Sequence, residues 1–91
     1  MKILIEELSD EEFKVTVNAK KSTNHNVTLT DDTYKNLTNK KVSKDQLIEI
    51  SFKFLLEREP NTSILSSFEL SSISTYFPQF IKIAKEWSTN N

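Results

Sequence analysis

The run Lys44–Arg58, KDQLIEISFKFLLER, decides how the rest of the chain must be arranged. At about 100° per residue, Leu47, Ile50, Ser51, Phe54 and Leu55 fall on one side of a helix, and Ile48, Phe52 and Leu56 widen that side to ~240° of the circumference. Only Gln46, Glu49, Lys53 and Glu57 remain for a polar strip. A helix apolar over so much of its girth is covered on more than one flank. The sequence therefore predicts a sheet plus further helices, or a second copy of the chain, around this segment. Ser43 is placed to cap its start, with Gln46 three residues on at capping-box spacing and Val42 and Leu47 positioned as a staple. Pro60 forbids continuation and pushes Glu59 toward an extended conformation, so the helix stops near Arg58.

Upstream of this helix the period changes from helical to alternating. Lys2 to Leu8 reads as a strand with Ile3 and Ile5 on one face and Leu4 and Leu8 on the other. Phe13, Val15, Val17 and Ala19 alternate with Lys14, Thr16, Asn18 and Lys20, the pattern of a half-buried antiparallel strand. His25 to Thr30 is a third strand, with Val27 and Leu29 in phase and Thr28 and Thr30 facing outward. Thr30 or Asp31 can cap a short helix to Leu37, with Tyr34 and Leu37 inward. Downstream, Asn61 to Thr75 is serine-rich, with apolar residues at mostly three- or four-residue steps, and reads as short helical turns held by packing. Pro78 sits at the first turn of a last helix, whose inner face is Phe80, Ile81, Ala84 and Trp87. The predicted fold is α+β: a three-stranded antiparallel β-meander followed by three or more helices packed on one face, in the order β-β-β-α-α-α. Residues 1–88 form one compact domain, and 89–91 fray.

Composition excludes more than it suggests. The 91 residues are 36% hydrophobic and 27% charged with a formal net charge of −1, values of a folded domain with no general pull on nucleic acid or anionic membranes. Cysteine is absent, which removes disulfides and thiol chemistry. Glycine is also absent, and phosphate-cradling loops and dinucleotide fingerprints need it where backbone approaches ligand. Turns with positive φ must then use Asn or Asp, and Asp10, Asn24, Asn39 and Asn61 are the candidates. Glu6, Glu7 and Asp10 stand where a signal peptide needs an apolar core, so a cytoplasmic location is expected.

Two resemblances accompany these patterns. The SFKFLLEREP run from Ser51 to Pro60, with Ser43, Ile64-Leu65, Phe68, Ile73 and the Tyr76-Phe77-Pro78 triplet, resembles a family of short uncharacterised bacterial proteins of about this length, over well over half the chain. The VTLTDDTYKNLT segment from Val27 to Thr38 is similar to that family as well. That family has no assigned activity, cofactor or catalytic residue, so the resemblance implies none here. More loosely, strand Val27–Thr30, a helix, a link and a capped helix from Ser43 resemble ribbon-helix-helix repressors and related antitoxins. That resemblance implies that Thr28 and Thr30 read a groove while Ser43 and Lys44 hold a phosphate. The chain departs from it in its short first helix, its glycine-free loop and two additional strands.

Few residues ask for chemistry. His25 is the lone histidine, without the companions of a metal site, and is expected at an exposed or edge position. Glu6, Glu7, Asp10, Glu11 and Glu12 read as a solvated turn. Lys40, Lys41 and Lys44 form a basic patch that could contact an anion, though solvated lysines are the commoner meaning. Arg58, the only arginine, is placed to hydrogen-bond carbonyls at the helix end and is read as a structural anchor. The uncharged face carrying Ser66, Ser67, Ser71, Ser74 and Tyr76 is the candidate contact surface, because little charge there must be desolvated. No catalytic, metal-binding or cofactor-binding residue is assigned. The expected role is a non-enzymatic protein-interaction module, acting on an unknown protein partner or as a homodimer. The competing expectation is a DNA-associated regulator using Thr28, Thr30, Lys40, Lys41, Ser43 and Lys44. A small enzyme or ligand carrier would require a deep pocket with convergent titratable groups.

Overall fold

The computed structural model describes residues 1–90 as an α+β domain with a four-stranded mixed sheet and four helices. Strands β1 (Lys2–Glu7), β2 (Glu12–Asn18) and β3 (Ser22–Thr28) form the antiparallel meander. Their register sets Ile5 against Val15 and Phe13 against Val27, so alternate residues line one dry face. The opposite face, with Lys14, Asn24 and Asn26, lies open to solvent. Leu4 and Leu8 belong to that open side and remain exposed, at 45% and 54%.

Helix α1 (Asp31–Thr38) starts at Thr30, whose hydroxyl accepts the Thr33 N–H. It ends on two successive left-handed residues, Asn39 at φ 51° and Lys40 at φ 60°. Asn39 is the position the sequence offers for such a turn; Lys40 is not, and the Thr38 hydroxyl stabilises it by accepting its N–H at 3.0 Å. The other Asn/Asp candidates do not take positive φ, because Asn24 lies in β3 and Asn61 opens a 3-10 turn. Helix α2 (Lys44–Leu56) carries the full capping box, with Ser43 accepting from Gln46 N–H and the Gln46 side chain accepting from Ser43 N–H.

This helix is enclosed by its own chain. Leu47, Ile48, Phe52, Phe54 and Leu55 are buried, and Ile50 and Leu56 pack half-buried against the same core. Phe52 meets His25 of β3 and Phe68, with ring centroids 5.4 and 6.0 Å away. Phe54 meets Phe77 and Phe80 of the C-terminal segment at 5.7 and 5.2 Å. Strands cover one flank and the tail the other, so no second copy is needed to cover α2.

The segment after Pro60 departs from the predicted run of helical turns. A 3-10 turn at Asn61–Ser63 leads into β4 (Ser67–Glu69), which pairs parallel with β3 and makes the sheet order β1-β2-β3-β4. A second 3-10 turn at Leu70–Ser72 runs into the one-turn helix α3 (Ile73–Tyr76), and α4 (Phe80–Thr89) closes the fold. The meander is thus extended by a parallel edge strand. Three residues are too few to display alternation, and Leu70 and Ile73, which produced the helical spacing, belong to the elements that follow. On α4 the inner positions are Phe80, Ala84 and Ser88, while Ile81 is 41% exposed. The helix continues through Thr89, and Asn91, the last residue of the expected frayed tail, lies outside the described residues.

Candidate functional site

The feature most suited to contact lies where the post-Pro60 segment turns back past α2. Extended backbone at Ile64 (φ −76°, ψ 137°) sends consecutive side chains to opposite sides, so Ile64 is buried and Leu65 is 51% exposed. Across from Leu65, α3 presents Tyr76 with 68% of its surface exposed. Between them runs a groove of about 210 Å³, floored by Leu55, Ile64, Phe68, Ile73 and Phe77 and edged by Glu59, Ser63 and Ser72. Ligand pockets for drug-sized molecules or cofactors start at ~300 Å³, so this groove suits single apolar side chains of a partner. Its titratable lining consists of Glu59 and Tyr76.

Of the expected contact surface, Tyr76 belongs to the groove, while Ser66 and Ser67 lie outside its lining and Ser71 and Ser74 line a separate hollow with Leu37, Phe80 and Ile81. Ser66 accepts the Asn26 N–H through its carbonyl, which docks β4 on β3. Ser67 is exposed on β4, Ser71 hydrogen-bonds Glu69 through both its N–H and its hydroxyl, and Ser74 donates to the Ser71 carbonyl. These serines shape the turns that carry Tyr76. Leu65 and Glu59 were not foreseen as contact residues. The signal available was the Ile64-Leu65 pair, which extended backbone cannot bury on one side.

Four of the six residues read as anion contacts, Thr28, Thr30, Ser43 and Lys44, are tied up within the chain. Thr28 donates to the Glu12 carboxylate, and Thr30 caps α1. The Ser43 hydroxyl is committed to the Gln46 N–H. Lys44 donates to the Asp10 carbonyl at 2.6 Å and to Asp31 at 2.8 Å, and stands over the Tyr34 ring. The hydrogen bond and charge of Lys44 hold the Asp31 carboxyl below its usual range, and Asp31, with Asp10 and Glu11, raises the Lys44 ammonium. Lys40 and Lys41 are exposed. Strand β3 is paired on both edges, by β2 and β4.

His25, expected at an exposed or edge position, is 2% exposed in the middle of the sheet. One ring nitrogen, Nδ1, lies 2.7 Å from the Leu65 carbonyl, and the other lies 2.8 Å from the Thr23 hydroxyl. A carbonyl can only accept, so Nδ1 carries the proton, and in the neutral ring Nε2 accepts from Thr23. Thr23 Oγ1 in turn accepts from buried Asn61 Nδ2 at 2.9 Å. Arg58 donates to the Phe54 carbonyl at 2.8 Å and lies 3.7 Å over the Phe54 ring.

Among the described residues no group of three or more His, Asp or Glu side chains could hold a metal ion, and no helix is long and apolar enough to cross a membrane. No family model, curated protein or solved structure matches the chain.

Proposed function

We propose that this domain is a non-enzymatic protein-interaction module whose contact surface is the groove between Leu65 and Tyr76. The observation that carries the proposal is the pairing of two exposed large apolar side chains across an apolar trough too small for a cofactor. Glu59 at the edge selects the chemistry of the occupant: a peptide segment of a partner protein with an apolar anchor and a lysine or arginine beside it. General acid–base catalysis calls for positioned, tuned groups in a cleft, and this groove supplies one carboxylate and one phenol.

The test is selection from a randomised displayed-peptide library on the immobilised domain. Enriched peptides should share an apolar residue next to a basic one. Their binding should drop at least tenfold in Tyr76→Ser and Leu65→Ser, both exposed positions whose loss leaves the fold intact. Absence of enrichment, or binding indifferent to both substitutions, would remove the groove from consideration.

A further inference from the structure

We propose that the free edge of β1 is a seam at which two copies of this chain join their sheets about a two-fold axis through Leu4. The groove lies beside β4, at the other edge of the sheet, so this inference stands independently of the function proposed for it.

Strand β1 is paired on one side only, and over six residues it contains no proline and no bulge. Such an edge is a template for a further strand unless something blunts it. The hairpin fixes which of its backbone groups are free. Leu8 N–H donates to the Glu12 carbonyl, so Leu8, Glu6, Leu4 and Lys2 direct their N–H and C=O groups toward β2. Ile3, Ile5 and Glu7 direct theirs away from the sheet. A two-fold mate must therefore pair its own odd-numbered residues with these.

Few registers satisfy that parity, and side chains choose among them. With the axis through Leu4, Ile3 meets Ile5 of the partner subunit and exchanges two backbone hydrogen bonds with it, twice over by symmetry. On the inner face this places together Ile3 and Ile5, which a single chain leaves half-buried. On the outer face Leu4, 45% exposed, meets its own copy, and Lys2 falls opposite Glu6 of the partner subunit. Moving the axis to Ile5 sets Leu4 against Glu6 and Ile3 against Glu7. Moving it to Ile3 sets Lys2 against Leu4. Only the axis at Leu4 pairs unlike charges and apolar residues over the whole of Lys2–Glu6; Glu7 then falls opposite Met1 of the partner subunit, at the end of the strand. The charges that would repel a foreign strand thus become complementary to a second copy. The product is an eight-stranded sheet with the two grooves at its far ends.

The chain has no cysteine, so single substitutions report the register directly. A non-hydrogen-bonded antiparallel pair sets Cα atoms ~4.5 Å apart, within the span of a disulfide. Leu4→Cys should give a covalent dimer under mild oxidation, whereas Leu8→Cys, equally exposed but without a counterpart across the axis, should not. By sedimentation the unmodified chain should run at twice its chain mass. Lys2→Glu should weaken the dimer about five- to tenfold through two like-charge pairs, and adding Glu6→Lys should restore it. A monomeric mass across the micromolar-to-millimolar range overturns the seam. Equal cross-linking at both cysteine positions, or a charge reversal that the second reversal does not rescue, overturns it too.

Discussion

The ring nitrogen Nδ1 of His25 donates to the carbonyl of Leu65 across 2.7 Å, and forty positions of sequence separate the two residues. This bond couples the centre of the sheet to the lip of the groove. Leu65 is exposed because its carbonyl is held inward by a buried imidazole, and the chain then enters β4. The lone histidine is thus a structural connector. It belongs to a polar chain from Asn61 through Thr23 to His25 in which every buried side-chain polar atom has a partner.

Replacing His25 by leucine keeps the volume and removes both bonds. The Leu65 carbonyl and the Thr23 hydroxyl would then be left without their donor and acceptor, at a cost of about 2–4 kcal/mol. Urea unfolding should show this loss, and peptide binding to the groove should weaken as well, because Leu65 loses its tether. A variant within ~0.5 kcal/mol of the parent would mean that water replaces the ring.

How much of this was legible depends on the range of the interaction. The capping box at Ser43 and Gln46 and the alternation of Phe13, Val15 and Val17 are local rules, and the fold obeys them. The turn at Asn39 was also legible, since without glycine an asparagine is the cheapest left-handed residue. Strand β4 was not. Its backbone pairs with β3 through Asn26 and Ser66, partners forty residues apart. His25 was misplaced for the same reason, because its neighbours in sequence, Asn24 and Asn26, point to the wet face while it points to the dry one. In the groove, Tyr76 was identified from its residue type, whereas Leu65 and Glu59 join it only through the path of the folded chain.

Lys40 is a place where the fold departs from local preference. A lysine at φ 60° strains its Cβ against the backbone, at a cost on the order of 1 kcal/mol that glycine avoids. Lys40→Gly should therefore raise the unfolding free energy, with the greater freedom of glycine in the unfolded chain trimming the gain to about 0.5 kcal/mol. Lys40→Val at the same exposed site should destabilise, because a β-branched side chain tolerates that conformation least. Chemical denaturation of the two variants should give changes of opposite sign, and changes of the same sign would mean that residue 40 does not hold a left-handed conformation in solution.

The Asp31–Lys44 pair gives stability a defined pH dependence. Asp31 has a folded-state pKa below its ordinary 3.8, because Lys44 hydrogen-bonds and attracts its carboxylate. Its contribution is therefore complete above 3.8 and disappears as pH falls through the lowered value. Lys44 is raised above 10.5, chiefly by its hydrogen bond to Asp31, so its contribution is complete below 10.5 and disappears as pH climbs through the raised value. Against Asp31→Asn, the parent should keep a constant advantage at neutral pH and lose it only in acid below 3.8. An advantage that does not shrink at all as pH falls below 3.8 would place its origin in packing.

Phe52 carries the heaviest structural demand, because it lies between two elements that need each other. Its ring touches His25 of β3 on one side and Phe68 of β4 on the other, and it is wholly buried. Phe52→Ala should cost about 3–5 kcal/mol, the usual result of emptying an aromatic site in a core. For a domain of this size, total stability is ~5–14 kcal/mol, so a large share disappears with one ring. Phe68 is only half-buried, and Phe68→Ala should cost clearly less. If His25 and Phe52 act together in holding β4, their losses will not add, with a coupling of about 0.5–2 kcal/mol in the double variant. Amide exchange provides the sharper test: in Phe52→Ala the amides of Ser67–Glu69 should lose protection before those of β1 and β2. Uniform loss across the sheet would mean that β4 is held by its backbone pairing with β3, and not by the ring beneath it.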